Sequence, residues 1–212
     1  MPVEILRISS DDPEQSAVDY AASIILRGHV VAVPTDTFYG LSADPFNLAG
    51  IGRVYEIKGR PESKALPILV DSIEQAITMI RDVPDNFLRL AQSFWPGALT
   101  IVLEATHRIP LKVTGNTGRV ALRWANSKIP SAIISAVGGP ITGTSANLSG
   151  SPACTNAPDL VKQLGDRLPL ILDAGDTRAV MASTIVRLEG DEWQIGRAGA
   201  ISEADIQKVL DS

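Results

Sequence analysis

Short apolar runs of strand length alternate along this chain with stretches whose apolar residues recur at helical spacing, and that alternation restricts the fold more than any other feature. "HVVAV" (29–33), "ALPILV" (65–70), "ALTIVLE" (98–104), "RVALRW" (119–124), "LPLILDA" (168–174), "STIVRLE" (183–189) and "EWQIG" (192–196) are predicted strands. Between them lie helical stretches. The first is expected to be capped by Asp12, with Pro13 at its opening position and Gly28 at its stop. A second follows Asn47 and places Leu48, Ile51, Val54 and Tyr55 on one face. Ser72 and Gln75 fit a capping box before "IEQAITMI"; "DNFLRLAQSF" is stopped by Pro96-Gly97; "SAIISAV" ends at Gly138-Gly139. Further helices are expected near 158–164 and over 203–210, the last capped by Ser202. Strands mixed with helices throughout predict an α/β fold: a single domain over 1–212, built on a twisted sheet of mixed parallel and antiparallel pairing flanked by helices.

Three features narrow the function. The 24 acidic residues outnumber the 19 basic ones, so a broad basic surface for nucleic acid or anionic lipid is not expected, although a local basic groove is compatible with the charge. Cys154 is the only cysteine, which excludes an internal disulfide and a CxxC metal site, and His29 and His107 lack metal-ligand spacing. No metal site is therefore expected. The N-terminus lacks the basic start and long apolar stretch of a signal peptide, and no segment is long and apolar enough to span a bilayer. A soluble cytoplasmic protein is the expectation.

Against that acidic background, "KGRPESK" crowds Lys58, Arg60 and Lys64 into seven residues. Pro61 biases Arg60 toward extended geometry, in which Lys58 and Arg60 would project to the same side. Cations held side by side repel unless an anion lies between them, and an arginine fork suits phosphate. A solvated turn is the plainer reading of the same residues. "TGTSANLSGSP" (142–152) follows an apolar strand, with Gly143 allowing close approach and Ser145 and Asn147 offering donors. It is not a Walker loop, and "GIGRVY" does not complete GxGxxG. "PTDTFYGL" empties a strand into a polar loop, the position where α/β proteins place ligands. In "RVALRW", Val120, Leu122 and Trp124 share one face while Arg119, Ala121 and Arg123 share the other, where an arginine can clamp a carboxylate.

Taken in order, "PTDTFYGL", "KGRP" with "LPILV", "FWPGALT", "VALRW", "TSANLSG", "STIV" and "GRAG" resemble the motifs of the YrdC/Sua5 family of threonylcarbamoyl-AMP synthases, in its short, single-domain form, over about residues 16–200. The resemblance implies a nucleotidyltransferase that joins L-threonine, bicarbonate or CO2, and ATP into threonylcarbamoyl-AMP and pyrophosphate. That product is used for N6-threonylcarbamoyladenosine modification of tRNA, through a threonylcarbamoyl-transferase complex, with Mg2+ carried on the ATP. The family's Lys-x-Arg and Ser-x-Asn set falls on Lys58, Arg60, Ser145 and Asn147 as catalytic residues. ATP contacts fall on those four less Asn147, together with Lys64, Arg119, Ala153 and Arg197; threonine contacts fall on Thr37, Leu69, Arg123, Gly143 and Ser183. Leu69, Lys64 and Arg119 stand where some relatives carry histidine, asparagine and threonine, and backbone groups can serve there. Weak RNA binding is a further expectation, and two rivals remain beside this reading: a carbamoyl-adenylate-forming module like that of hydrogenase-maturation proteins, and an RNA-binding or ribosome-maturation factor using a concave basic surface.

Overall fold

"HVVAV" is apolar on both faces because it is covered on both. In the computed structural model, which describes residues 2–177, 181–190 and 192–211, Val31 and Val33 point toward one apolar cluster and Ala32 toward another. The elements in chain order are β1 (Glu4–Arg7), α1 (Gln15–Leu26), β2 (Val31–Val33), β3 (Gly40–Ser42), α2 (Leu48–Lys58), β4 (Ile68–Val70), α3 (Ile73–Ile77), α4 (Asp85–Phe94), β5 (Leu99–Glu104) and β6 (Arg119–Trp124). They continue with α5 (Lys128–Val137), β7 (Ile141–Thr142), β8 (Thr144–Ser145), α6 (Ala157–Leu164), β9 (Leu170–Asp173), β10 (Thr184–Glu189), β11 (Glu192–Arg197) and α7 (Glu203–Leu210).

The α/β class and the mixed pairing hold, but the strands divide between two sheets. One runs β1-β9-β2-β3-β8 and the other β11-β10-β5-β6-β4-β7. In the second, β10 pairs with β5 in parallel, β5 with β6 antiparallel, and β6 with β4 in parallel. Helices α1 and α5 pack together over one face of the first sheet through Val18, Ala21, Ile25, Ile129 and Ile133. The larger core lies between the sheets and under the remaining helices. It takes Leu99, Ile101 and Leu103 from β5, Val120 and Leu122 from β6, and Val186 and Leu188 from β10. The opposite face of these three strands carries Thr100, Val102, Arg119, Ala121, Arg123, Ile185 and Arg187, and it faces a cavity.

Local signals explain most boundaries. Asn47 caps α2 by accepting from the amides of Ala49 and Gly50, and Ser202 caps α7 by accepting from Asp205. Ser72 caps α3, while Gln75 reaches back to the Asp71 amide. Two expectations fail. The first helix starts at Gln15 rather than Pro13, because the Ser9 hydroxyl accepts from the Asp12 amide and the Glu14 carboxylate accepts from the Ser9 amide. That closed turn consumes the residues expected to open the helix. Leu48 is exposed, off the buried face formed by Ile51, Val54 and Tyr55.

Candidate functional site

The floor of the cavity is the outer face of the second sheet, exposed by period-two alternation in β5, β6 and β10. Its walls come from the loop after β2, from the segment around 60–67, and from the turn through β7 and β8. The cavity holds about 640 Å³, a size typical of small-molecule sites. Six cations line it, Arg60, Lys64, Arg119, Arg123, Arg187 and Arg197, and no aspartate or glutamate among the described residues does so. A chain of net charge −5 has thus gathered a pocket whose charged lining, among the described residues, is all cationic.

Twelve of the thirteen residues singled out from the sequence line this one cavity: Thr37, Arg60, Lys64, Leu69, Arg119, Arg123, Gly143, Ser145, Asn147, Ala153, Ser183 and Arg197. Lys58 does not. The expectation that Lys58 and Arg60 project together from an extended segment is corrected: Lys58 ends α2, and Gly59 caps the helix in the left-handed region at φ 56°, turning the chain between the two cations. Lys58 is 2% exposed. Its ammonium donates to the Ser145 carbonyl, and to the Asn147 carbonyl and Oδ1 at 3.0 Å each. Ser145 Oγ also donates to Asn147 Oδ1, and Asn147 Nδ2 donates to the carbonyls of Leu148 and Ser151. Lys58 therefore ties the Ser145–Asn147 turn to the end of α2. Burial, and then the nearby charge of Arg60, push its pKa down to about 8.

One end of the cavity is fully bonded. Arg123 donates from Nε to the Gly97 carbonyl at 3.0 Å, from one terminal nitrogen to Thr37 Oγ1 at 2.8 Å, and from the other to Asp36 Oδ1 at 2.6 Å. Thr35 Oγ1 accepts from the Thr37 amide and donates to the Phe38 carbonyl, holding that loop closed. Burial lowers the Arg123 pKa and Asp36 works against the shift, while Arg197 stands close enough to lower it further. Arg197 donates to the Ser183 carbonyl and hydroxyl, and the Ser183 and Thr100 hydroxyls are 2.9 Å apart. Leu69 contributes its side chain: a Cβ at Gly143 would lie 2.4 Å from Leu69 Cγ, so only glycine lets the turn close over it.

The other end has donors to spare. Arg60 gives one terminal nitrogen to the Ala65 carbonyl at 2.9 Å, but its Nε is buried without a partner. Arg119 pairs with Glu189 at 2.8 Å, yet its remaining terminal nitrogen is likewise buried and unpartnered. Such donors cost free energy unless something in the cavity accepts from them. An anion fits. Among the described residues no group of three or more His, Cys, Asp or Glu side chains could hold a metal ion, so the donor set does not suit a protein-held cation.

Asp36, Thr35, Thr100, Thr117 and Arg187 were not singled out as contacts from the sequence. Thr100 and Arg187 alternate with core residues in their strands, and extending the two-faced reading of "RVALRW" to those strands would have found them.

A family model for Sua5, YciO and YrdC proteins, described as "Telomere recombination", matches residues 23–199. The chain belongs to the Sua5/YciO/YrdC family. It is 35% identical over 199 residues to the threonylcarbamoyl-AMP synthase of Pyrococcus abyssi, covering 93% of this chain and 58% of that one. It is 33% identical to the putative threonylcarbamoyl-AMP synthase of Mycobacterium tuberculosis, covering 94% of this chain and 92% of that one. The crystal structure of P. abyssi Sua5 complexed with L-threonine superposes with a TM-score of 0.93 at 33% identity, over 98% of this chain and 61% of that chain. The chain thus spans a little under two thirds of the Pyrococcus protein and nearly all of the mycobacterial one. No helix among the described residues is long and apolar enough to cross a membrane.

Proposed function

We propose that this Sua5/YciO/YrdC protein is a threonylcarbamoyl-AMP synthase, a nucleotidyltransferase acting on L-threonine, bicarbonate or CO2, and ATP. The observation that carries the reading is a cavity with two unlike ends: a bonded Arg123 at one, and buried guanidinium donors of Arg60 and Arg119 without partners at the other. An amino acid carboxylate suits the first end and a polyphosphate the second. The relatives' names and the threonine complex of the Pyrococcus protein support the same assignment.

In this reaction the threonine amine adds to CO2, forming the N–C bond of a carbamate and releasing a proton to solvent. A carbamate oxygen then attacks the α-phosphorus. The new P–O bond forms as the bond to the bridging oxygen breaks, and the electron pair leaves on pyrophosphate. The chain supplies position and charge rather than a general base. Arg123 and Thr37 hold threonine, with Ser183 and Gly143 beside it. Arg60, Lys64, Arg119 and Arg197 neutralise the phosphates, and the Ser145–Asn147 turn and Ala153 bound the nucleotide. Lys58 acts through that turn. Mg2+ would be held by the phosphates of ATP rather than by the chain, since no described residue of the cavity wall is a carboxylate, and it would supply further charge neutralisation there. The adenylate passes to a transferase complex that modifies tRNA in the cytoplasm.

The test is mass spectrometry of products after incubation with ATP, bicarbonate and L-threonine, beside a threonine-free control and an arm with carbamoyl phosphate. Threonylcarbamoyl-AMP and pyrophosphate appearing only with threonine is the expected result. Threonine-independent turnover of carbamoyl phosphate would overturn the assignment.

A further inference from the structure

We infer that Arg187 is a phosphate-binding residue of this cavity, receiving the pyrophosphate as it leaves; the inference rests on the reaction proposed above. Arg187 stands on β10 in register with Val102 of β5, which is in register with Ala121 of β6. Ala121 lies midway between Arg123 and Arg119 on β6, so Arg187 flanks the middle of the floor, between the amino-acid end and the phosphate end. Two residues along a strand span about 6.7 Å, which makes Arg187 the cation one step from either end. A Cβ on Gly196 would sit 3.4 Å from Arg187 Nε, so the arginine lies over bare backbone of β11.

Its bonding separates it from its neighbours. Arg119 is held by Glu189, Arg123 by Asp36 and Arg197 by Ser183, whereas the Arg187 side chain makes no hydrogen bond or ion pair among the described residues, its backbone alone being paired within the sheet. An exposed, unpaired arginine is ordinarily just solvated. Here it stands beside apolar Val102 and Ile185 in a wall to which no described residue contributes a carboxylate, and the one acid two positions along its strand face, Glu189, is taken up by Arg119, which leaves the guanidinium open to an incoming anion. The electron pair of the breaking bond between the α-phosphorus and the bridging oxygen ends on pyrophosphate, and a cation at mid-floor neutralises charge that develops only then.

Inorganic pyrophosphate titrated by calorimetry into wild type, Arg187→Gln, Arg187→Lys and Arg81→Gln tests this, with melting curves confirming that each is folded. Arg81 pairs with Glu104 outside the cavity and controls for net charge. Arg187→Gln is expected to weaken pyrophosphate binding about 5- to 10-fold, as suits a partly exposed charge-assisted contact, with Arg187→Lys intermediate and Arg81→Gln at wild type. AMP affinity and the threonine KM should stay within about twofold, since neither ligand carries the leaving group. Unchanged pyrophosphate affinity in Arg187→Gln, or an equal loss in Arg81→Gln, overturns the assignment. Failure of the wild type to make threonylcarbamoyl-AMP would instead sink the proposed reaction, and the titration would still decide Arg187.

Discussion

Arg123 and Arg60 line the same cavity, yet they solve opposite problems. Every nitrogen of Arg123 is engaged by the protein, at Gly97, Thr37 and Asp36, so its fork is already aimed before any ligand arrives. Arg60 keeps a buried donor unpartnered, as does Arg119. The first end is preorganised and contributes to the fold. The second end carries a standing desolvation cost that an anion relieves, and so favours binding over stability.

The largest effect should follow from breaking the preorganised end. Arg123→Ala leaves the Asp36 carboxylate, only 16% exposed, without its partner. About 3–5 kcal/mol of unfolding free energy should be lost, with part recovered in the double variant with Asp36→Asn. Urea unfolding measures it, and a double variant no better than the single one would contradict the pairing argument. Truncating the other end should invert the outcome. Arg60→Ala and Arg119→Ala each should weaken ATP binding by about 1.5–3 kcal/mol, roughly 10- to 150-fold, while stability moves by no more than about 1 kcal/mol. Calorimetric titration of ATP beside melting curves would show the split, and an unchanged ATP affinity in both would remove it.

Lys58 ties the Ser145–Asn147 turn to the end of α2 and should show itself through pH. Its proton is lost near pH 8 in the folded protein, against 10.5 for an ordinary lysine. Across that window the unfolded chain holds a proton that the native one lacks, so this site's contribution to stability rises as pH climbs from about 8 to 10.5. Wild type should therefore gain about 1–3 kcal/mol relative to Lys58→Met over that range, by urea unfolding at each pH. Parallel curves would mean that Lys58 titrates elsewhere. Above pH 8 the amine also has one proton too few for its three acceptors, so turnover should fall as the Ser145–Asn147 turn loosens. The smallest change is expected from Glu189→Gln. Releasing Arg119 from a half-exposed ion pair should tighten ATP binding about two- to threefold, and weaker binding would show that Glu189 orients Arg119 rather than competing for it.

Much of the fold was legible because its signals are local. Helix α4 spans the residues that its apolar periodicity and the following Pro-Gly predict, and Ser202 caps α7 through a bond three residues away. "RVALRW" has the two faces that its alternation implies, one in the core and one in the cavity. The α1 start differs from the expectation because Ser9, outside the helix, bonds the Asp12 amide and the Glu14 carboxylate and draws residues 12–14 into a turn ahead of it. In the site, the ordered motifs led to twelve lining residues, but not to Arg187 or to the pairing of Asp36 with Arg123, which lies 87 residues away.

What residue order decided alone was whatever acts over a turn of helix or a pair of strand positions: caps, stops, and which side of each strand is apolar. Whether the strands formed one sheet or two, and which charge met which, depended on contacts between segments far apart in the chain. Lys58 shows the difference most plainly. Its neighbours in sequence announce a surface cation, but a left-handed glycine and the carbonyls of a turn 87 to 89 residues away make it a buried strut. Electrostatic energy depends on distance and burial in the folded molecule, and neither is written in a local stretch of letters.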